Sequence, residues 1–439
     1  MQRDGQKFDV GIIGGGVLGV SIAFWLSELY DCSIGLFETE SRVGQHTSSR
    51  NTGVVHRPFY LNPETKTVFA RTSEKSYSMW KKLALAYSLP WKDTGTIEVA
   101  LRDQDIDTLE KYRRWSLSNG MKEEETEILG PSGVSQLEPE VKCMGAIYSK
   151  NDASVNYGEF TGKIGELAST NGVKFLLGYE IKDLNETENG GEIRSGAKKT
   201  SCDFLINVAG GNSLDLAHRI GLVKEYTDLH FRGEYWQVDE SFASRVRRNV
   251  YSVARYKEFP FLDPHFIVRA NGAREIGPNA VLVPGPNTYE GLGGVGIIRK
   301  IFERPLGPKF RLFTNRKFLS LAWGEWRSSL SKNAMCDRVR EFIPSLESSM
   351  LNSRGVAGVR SSLIDRDGFV PEALEVYGKR SLHVLNYNSP GASGAPSFSA
   401  NLVSNVESKG FLNGLRKRSQ KHEDLWNYEK ARDLTSYVD

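Results

Sequence analysis

The strongest constraint on this chain lies at its beginning. Phe8-Asp9-Val10-Gly11-Ile12-Ile13 is a short apolar run of the kind that forms a strand buried on both faces of a parallel sheet. It leads directly into Gly14-Gly15-Gly16-Val17-Leu18-Gly19, and then into residues 20–29, which have helical character. In such a strand, turn and helix, Gly14 permits the tight turn and Gly16 lets the backbone approach a pyrophosphate. Gly19 lets the helix pack closely on the strand, and the helix N-terminus faces the phosphates. A second apolar run, residues 33–37, ends in Glu38, nineteen positions beyond Gly19, where a carboxylate accepts the ribose hydroxyls. The glycine loop alone is a weak signal, equally readable as a structural turn with an exposed acid. Strand, turn, helix, strand and acid in this order predict a dinucleotide site, and the acid at position 38 argues against a 2′-phosphorylated nucleotide.

A chain of 439 residues corresponds to two or three domains at about 150 residues each, enough for a large core and a cleft between lobes. With 39% hydrophobic and 25% charged residues it is neither disordered nor fibrous. A net charge of +3 offers no global attraction to nucleic acid or an anionic membrane. Cys32, Cys143, Cys202 and Cys336 lie far apart without CxxC or Cys/His spacing, which predicts no metal site, no disulfide framework and a reducing cytoplasm. Residues 10–26 are uncharged enough to pass for a signal or membrane segment, but their five glycines fit the nucleotide loop instead.

The motif does not separate NAD from FAD. The segment that follows, Ser41-Arg42-Val43-Gly44-Gln45-His46-Thr47-Ser48-Ser49-Arg50-Asn51-Thr52-Gly53-Val54-Val55-His56, is rich in hydroxyls and suits a bulkier cofactor lying over it. A solvated Ser/Thr loop is the competing reading. This stretch resembles the corresponding part of the FAD-dependent L-2-hydroxyglutarate dehydrogenase/oxidase family, within the D-amino-acid-oxidase-like flavoproteins. Colinear matches follow at Ile206-Asn207-Val208-Ala209-Gly210, Phe231-Arg232-Gly233-Glu234-Tyr235-Trp236 and Pro260-Phe261-Leu262 with His265 and Arg269. Others are Gly277-Pro278-Asn279-Ala280-Val281-Leu282, Gly324-Glu325, Ala357-Gly358-Val359-Arg360, and Asn386 with Ser389-Pro390 and Ala392-Ser393. The resemblance spans roughly residues 8–403. The chain departs from the family pattern at Arg50, Arg57-Pro58, Asp263-Pro264 and Tyr387-Asn388, several of which flank the implied substrate pocket.

The resemblance implies an α/β protein with a Rossmann-like FAD domain (1–80, 145–230 and 355–405) and a substrate domain on an antiparallel sheet (81–144 and 231–354). Residues 235–238 and 281–283 read as strands of that sheet. It implies FAD contacts at Gly14, Gly16, Gly19, Glu38, Thr47, Ser48 and Asn51, main-chain contact to adenine at Ile181, and a glycine turn at Ala209 and Gly210. Ser389, Gly391, Ala392 and Ser393 would form a loop entering a helix beside the flavin, unless they are a plain Gly/Pro/Ser turn. The implied reaction removes a hydride from Cα of a small L-2-hydroxy acid and a proton from its hydroxyl. Arg360 stands where the superfamily keeps its carboxylate-clamping arginine, and a guanidinium offers bidentate geometry. His56 and His265 are the base candidates, ahead of His46, His218, His230, His383 and His422. Arg232 and Arg269 are candidates for a second cation or, equally, structural residues, with Arg232 beside Gly233 and Glu234 holding the sheet together; Tyr235 and Asn386 are candidates for further substrate contacts. An amine-oxidising relative and a non-catalytic nucleotide-binding protein remain alternatives. The electron acceptor (oxygen, quinone or a carrier protein) is left open. Residues 406–439, with Arg416-Lys417-Arg418 and Lys421-His422, read as a solvated helical extension, or as a basic contact that would hold a cytoplasmic protein at a membrane surface.

Overall fold

The computed structural model describes residues 5–256, 259, 263–291 and 294–435; the Pro260-Phe261-Leu262 signature lies outside the described residues. The first strand, Gln6–Ile13, pairs in parallel with Ile34–Phe37 on one side and Lys198–Asn207 on the other, setting Val10 beside Ile34 and Phe204. Lys174–Leu176 extends this sheet in parallel beyond Ile34–Phe37, and Ser381–Leu385 joins in parallel to Lys198–Asn207. Helices cover the first strand, so Val10 and Ile12 are fully buried and the run shows no polar alternation. The helix Val17–Leu29 is itself buried almost all round, packed on Tyr157–Thr170 and Gly391–Ser408. Glycine is required at position 19, where a Cβ would collide with the carbonyl oxygen of Gly14.

Two further sheets build the other side of the molecule. An eight-stranded sheet runs Leu351–Arg354, Trp236–Val238, Arg274–Gly277, His265–Val268, Asn249–Ser252, Thr96–Ala100, Gly145–Ser149, Thr126–Leu129. A four-stranded antiparallel sheet runs Val281–Val283, Thr227–Gly233, Gly358–Asp365, Gly368–Phe369. Two expectations are corrected here. Residues 235–238 and 281–283 lie in different sheets, and Gly145–Ser149, expected with the nucleotide part, pairs with Thr96–Ala100 in the eight-stranded sheet. A short apolar strand fits the inner face of any sheet, and only its long-range partner decides which.

The segment after residue 405 is also corrected. The helix Gly391–Ser408 ends at Gly410, which has a positive φ, and Gly414 has one too. The chain then pairs Arg416–Lys417 with Tyr30–Asp31 and forms one further short helix, Tyr428–Arg432. It is anchored rather than solvated. Trp426 is buried against Phe24, Trp25 and Trp80, and its indole N–H donates to the Met79 carbonyl at 2.8 Å. Three of its basic residues have acidic partners: Arg416 pairs with Asp31, Lys417 with Glu407, and His422 with the buried Glu28 at 2.8 Å. Burial is the largest influence on the Glu28 carboxyl and raises its pKa, but the bonds from His422 and Asn171 leave it below the ordinary value.

Trp426→Ala should cost about 3–5 kcal/mol in urea unfolding, the range for truncating a buried aromatic. An unchanged midpoint would show that the C-terminal segment merely rests on the domain. A second expectation concerns acid. Burial pushes His230 and His383 down to about 4 and His265 down to about 3, from an ordinary 6.5. Between pH 6.5 and 4 the unfolded chain binds protons that the folded chain refuses, so the three histidines stabilise the fold above 6.5 and lose that contribution as pH falls. The slope is at most about 1.4 kcal/mol per histidine per pH unit. His383 accepts from the Asn207 amide and bonds Ser381. His383→Asn should therefore flatten the measured slope by up to about 1.4 kcal/mol per pH unit between pH 6.5 and 4; an identical slope would refute the account.

Candidate active site

A cavity of about 520 Å³ runs from the glycine loop to the antiparallel sheets, a volume suited to a cofactor with a small substrate. At its first end the helix Val17–Leu29 starts at Gly16 with no side-chain cap and no acidic residue in its first turn. Such a terminus attracts phosphate. Ser48 Oγ accepts from the Val17 N–H at 2.9 Å, placing a hydroxyl at the same terminus. Glu38 is held at the cavity edge by the N–H groups of Gly15, at 2.6 Å, and Glu40, at 2.9 Å. Bare helix terminus, glycine cradle and tethered carboxylate are the donor set that a dinucleotide requires, and the residues present fit one.

Gly14, Ile181, Ala209, Gly210, Ser389, Gly391 and Ala392 also line this cavity, whereas Gly19 lies behind it in the helix packing. Several lining side chains are committed to the scaffold. The Asn51 amide donates to the Thr47 and Ser48 carbonyls and its oxygen accepts from Gly53 N–H, folding the loop over the helix terminus. Thr47 Oγ1 donates to the Val359 carbonyl at 3.1 Å. Ser393 Oγ accepts from His56 N–H at 3.1 Å and donates to the Val54 carbonyl, joining the helix Gly391–Ser408 to the strand that carries the histidine. Asn386 lines the cavity with φ 57°, but its side chain is spent on the Leu363 N–H and the Val370 and Glu372 carbonyls.

At the other end the structure brings His56, His265, Tyr235 and Arg360 into one wall system. His56 Nδ1 lies 3.0 Å from Asp152 Oδ2. A carboxylate only accepts, so Nδ1 carries the hydrogen and Nε2 keeps its lone pair. Asp152 is fully buried and further held by Thr96 Oγ1 at 2.8 Å, Ser149 Oγ at 2.6 Å and Arg57 N–H at 3.2 Å. His265 differs. Its Nδ1–H donates to the Asp263 carbonyl at 3.1 Å and its ring stacks on Tyr251 at 3.9 Å, while its buried Nε2 has no protein partner. With its pKa pushed down to about 3 by burial, it stays neutral across the physiological range. Arg360, on Gly358–Asp365, has its guanidinium pKa lowered by burial, with the phenols of Tyr235 and Tyr60 acting in the opposite sense.

Arg232 and Arg269, the expected second cations, do not line the cavity. Arg232 is bound to Glu234 at 2.8 Å and to the Gly291 carbonyl. Arg269 pairs with Glu275, donates to the Asn51 carbonyl and lies over the Tyr235 ring. Each buried guanidinium has a carboxylate a few residues along its own chain, the arrangement that makes burial tolerable. Sequence reading passed over Asp152, whose aspartate in a turn carries no local signal, and Lys66. Lys66 does not line the cavity; its ammonium pKa is lowered first by burial and then by the charge of Arg360, with the carboxylate of Glu372 acting in the opposite sense. Glu98 and Tyr112 were also missed and close the deep end beside Tyr60.

Comparison with known proteins extends this reading. Residues 9–404 match the family described as FAD dependent oxidoreductase. The chain is 28% identical over 411 residues to the mitochondrial L-2-hydroxyglutarate dehydrogenase of Nematostella vectensis, covering 88% of each chain. It is 27% identical over 415 residues to L-2-hydroxyglutarate dehydrogenase of Escherichia coli (strain K12), covering 91% of this chain and 93% of that one. Among solved structures, L-alpha-glycerophosphate oxidase from Mycoplasma pneumoniae with FAD bound superposes with a TM-score of 0.69 at 18% identity, over 96% of this chain and 98% of the other. Glycine oxidase from Geobacillus kaustophilus does so with 0.67 at 16% identity, over 99% and 100%. Because the family match runs through both ends of the cavity, the chain belongs to the FAD-dependent oxidoreductase family and takes FAD as its cofactor.

Proposed function

We propose that the chain oxidises a small L-2-hydroxy acid, L-2-hydroxyglutarate or a close relative, to the 2-oxo acid. The observation that carries this reading is the His56–Asp152 pair facing the same cavity as Arg360. FAD, when bound, supplies the acceptor for the hydride that leaves Cα. Arg360 binds the carboxylate at C1 and orients the α-carbon. Asp152 keeps the His56 proton on Nδ1, so Nε2 takes the proton of the substrate hydroxyl. His265, neutral and apolar in its stacking, shapes the wall and excludes water. The names of the curated relatives support the five-carbon dicarboxylate. A hydroxyl-proton base oriented by a buried carboxylate favours the alcohol over an amine, which needs none.

The decisive measurement is the visible spectrum of the purified flavoprotein under anaerobic conditions. L-2-hydroxyglutarate should bleach the flavin and its D-enantiomer should not. Bleaching by glycine, proline or other amino acids alone would transfer the protein to the amine-oxidising relatives. Arg360→Leu should retain flavin yet lose reduction by any carboxylate substrate; reduction at the wild-type rate would remove Arg360 from carboxylate binding. Asp152→Asn should keep the flavin spectrum, slow reduction by about 10²- to 10⁴-fold and alter the pH dependence of the rate. An unchanged pH profile would leave Asp152 a structural residue only.

A further inference from the structure

A second cavity, of about 390 Å³, lies at one end of the eight-stranded sheet and shares no lining residue with the cavity that takes FAD and substrate. The strand directions explain what gathers there. Arg274–Gly277, Asn249–Ser252 and Thr96–Ala100 run one way and Gly145–Ser149 the other, so the first three begin where the last one ends. Arg274, the Arg247-Arg248 pair ahead of Asn249, and Lys150 after Ser149 are thereby brought together, with Lys92 of the strand Trp91–Asp93 beside them. Five cationic side chains and one carboxylate, Asp93, line this cavity. They come from four separate stretches of chain, so no run of charge in the sequence announces them.

Their charge is only partly offset. Lys150 pairs with Glu127 at 3.1 Å and Arg248 with the buried Glu138 at 3.0 Å. With these two acids counted alongside Asp93, the cations still exceed the carboxylates by two. Arg274 donates to the carbonyls of Val246 and Gly272, which leave its charge in place. Burial, followed by the charge of Arg274, lowers the Lys92 pKa, and burial lowers that of Arg274 against the pull of Glu138. Like charges gathered in a concave, partly desolvated site are unfavourable until an anion enters between them.

We infer that this cavity binds a small anion carrying at least two negative charges on phosphate, a phosphate ester or a diphosphate. Guanidinium forks and an ammonium group all donate to phosphate oxygens, and a surplus of two positive charges matches a phosphate dianion. The volume lies at the small end of the range for organic ligands. A dicarboxylate of the same charge holds it at two separated ends, whereas phosphate concentrates it where the cations converge. The site lies directly behind the acid–base pair: the N–H groups of Thr94, on its wall, and of Gly95 donate to the Asp152 carbonyl at 3.1 and 2.8 Å. The inference is independent of which substrate is oxidised.

The test is isothermal titration of the holoprotein, whose nucleotide site FAD already fills, with inorganic pyrophosphate in a phosphate-free buffer of low ionic strength. One pyrophosphate should bind per chain, more weakly as salt rises, and succinate should bind at least about tenfold more weakly than pyrophosphate. Lys92→Gln/Arg247→Gln should weaken pyrophosphate at least about tenfold, and flavin content unchanged from wild type establishes that the variant folds. Absence of binding by the wild type up to about 1 mM pyrophosphate, or wild-type affinity in the double variant, would overturn the proposal. Displacement of pyrophosphate by 2-oxoglutarate would do so too, by placing the anion in the substrate cavity, and equal affinity for succinate would overturn the assignment to phosphate.

Discussion

The close approach of the helix Val17–Leu29 to the strand Gln6–Ile13, possible because position 19 has no side chain, is the constraint on which the rest of the structure hangs. It aims an uncapped helix terminus into the cavity and leaves the helix enclosed on every other side. Tyr157–Thr170, Gly391–Ser408 and the C-terminal Trp426 all pack against that one helix, so segments distant in sequence are assembled by a single buried element. Trp25 makes the dependence explicit: it donates to the Pro396 carbonyl and touches Trp426.

The chemistry at the far end rests on a second buried interaction. Asp152 receives four hydrogen bonds inside the protein, from groups on three stretches of chain, and so fixes the tautomer of His56 at the junction of the sheets. Burying a carboxylate is unfavourable unless its oxygens are satisfied, and here they are. Ser393 ties the same strand to the helix beside the flavin site, so nucleotide end and acid–base end are mechanically one unit. The two histidines that looked equivalent are separated by their neighbours: His56 has a carboxylate, whereas His265 has a carbonyl and an aromatic face.

How much could be read from sequence follows from the range of each interaction. The glycine loop, Glu38 and the buried strands were legible because turn geometry and two-faced burial act on neighbouring residues. Arg360 and His56 were legible through colinear resemblance, and the structure places both on the cavity. Arg232 and Arg269 were read as either substrate cations or structural residues, and the structure gives each a carboxylate partner, Glu234 and Glu275, that proximity in sequence alone does not establish. The C-terminal segment was read as helix from its charge spacing, when Gly410 and Gly414 and the burial of Trp426 set its path.

What the residue string established unaided was therefore the nucleotide-binding half, carried by short-range patterns with strict steric requirements, and the class of cofactor and the family, carried by a colinear resemblance along most of the chain. Three-dimensional packing settled which histidine has a carboxylate behind it and which arginines are already neutralised. Electrostatic pairing and desolvation depend on distances between groups remote in sequence, and those distances exist only once the chain has folded.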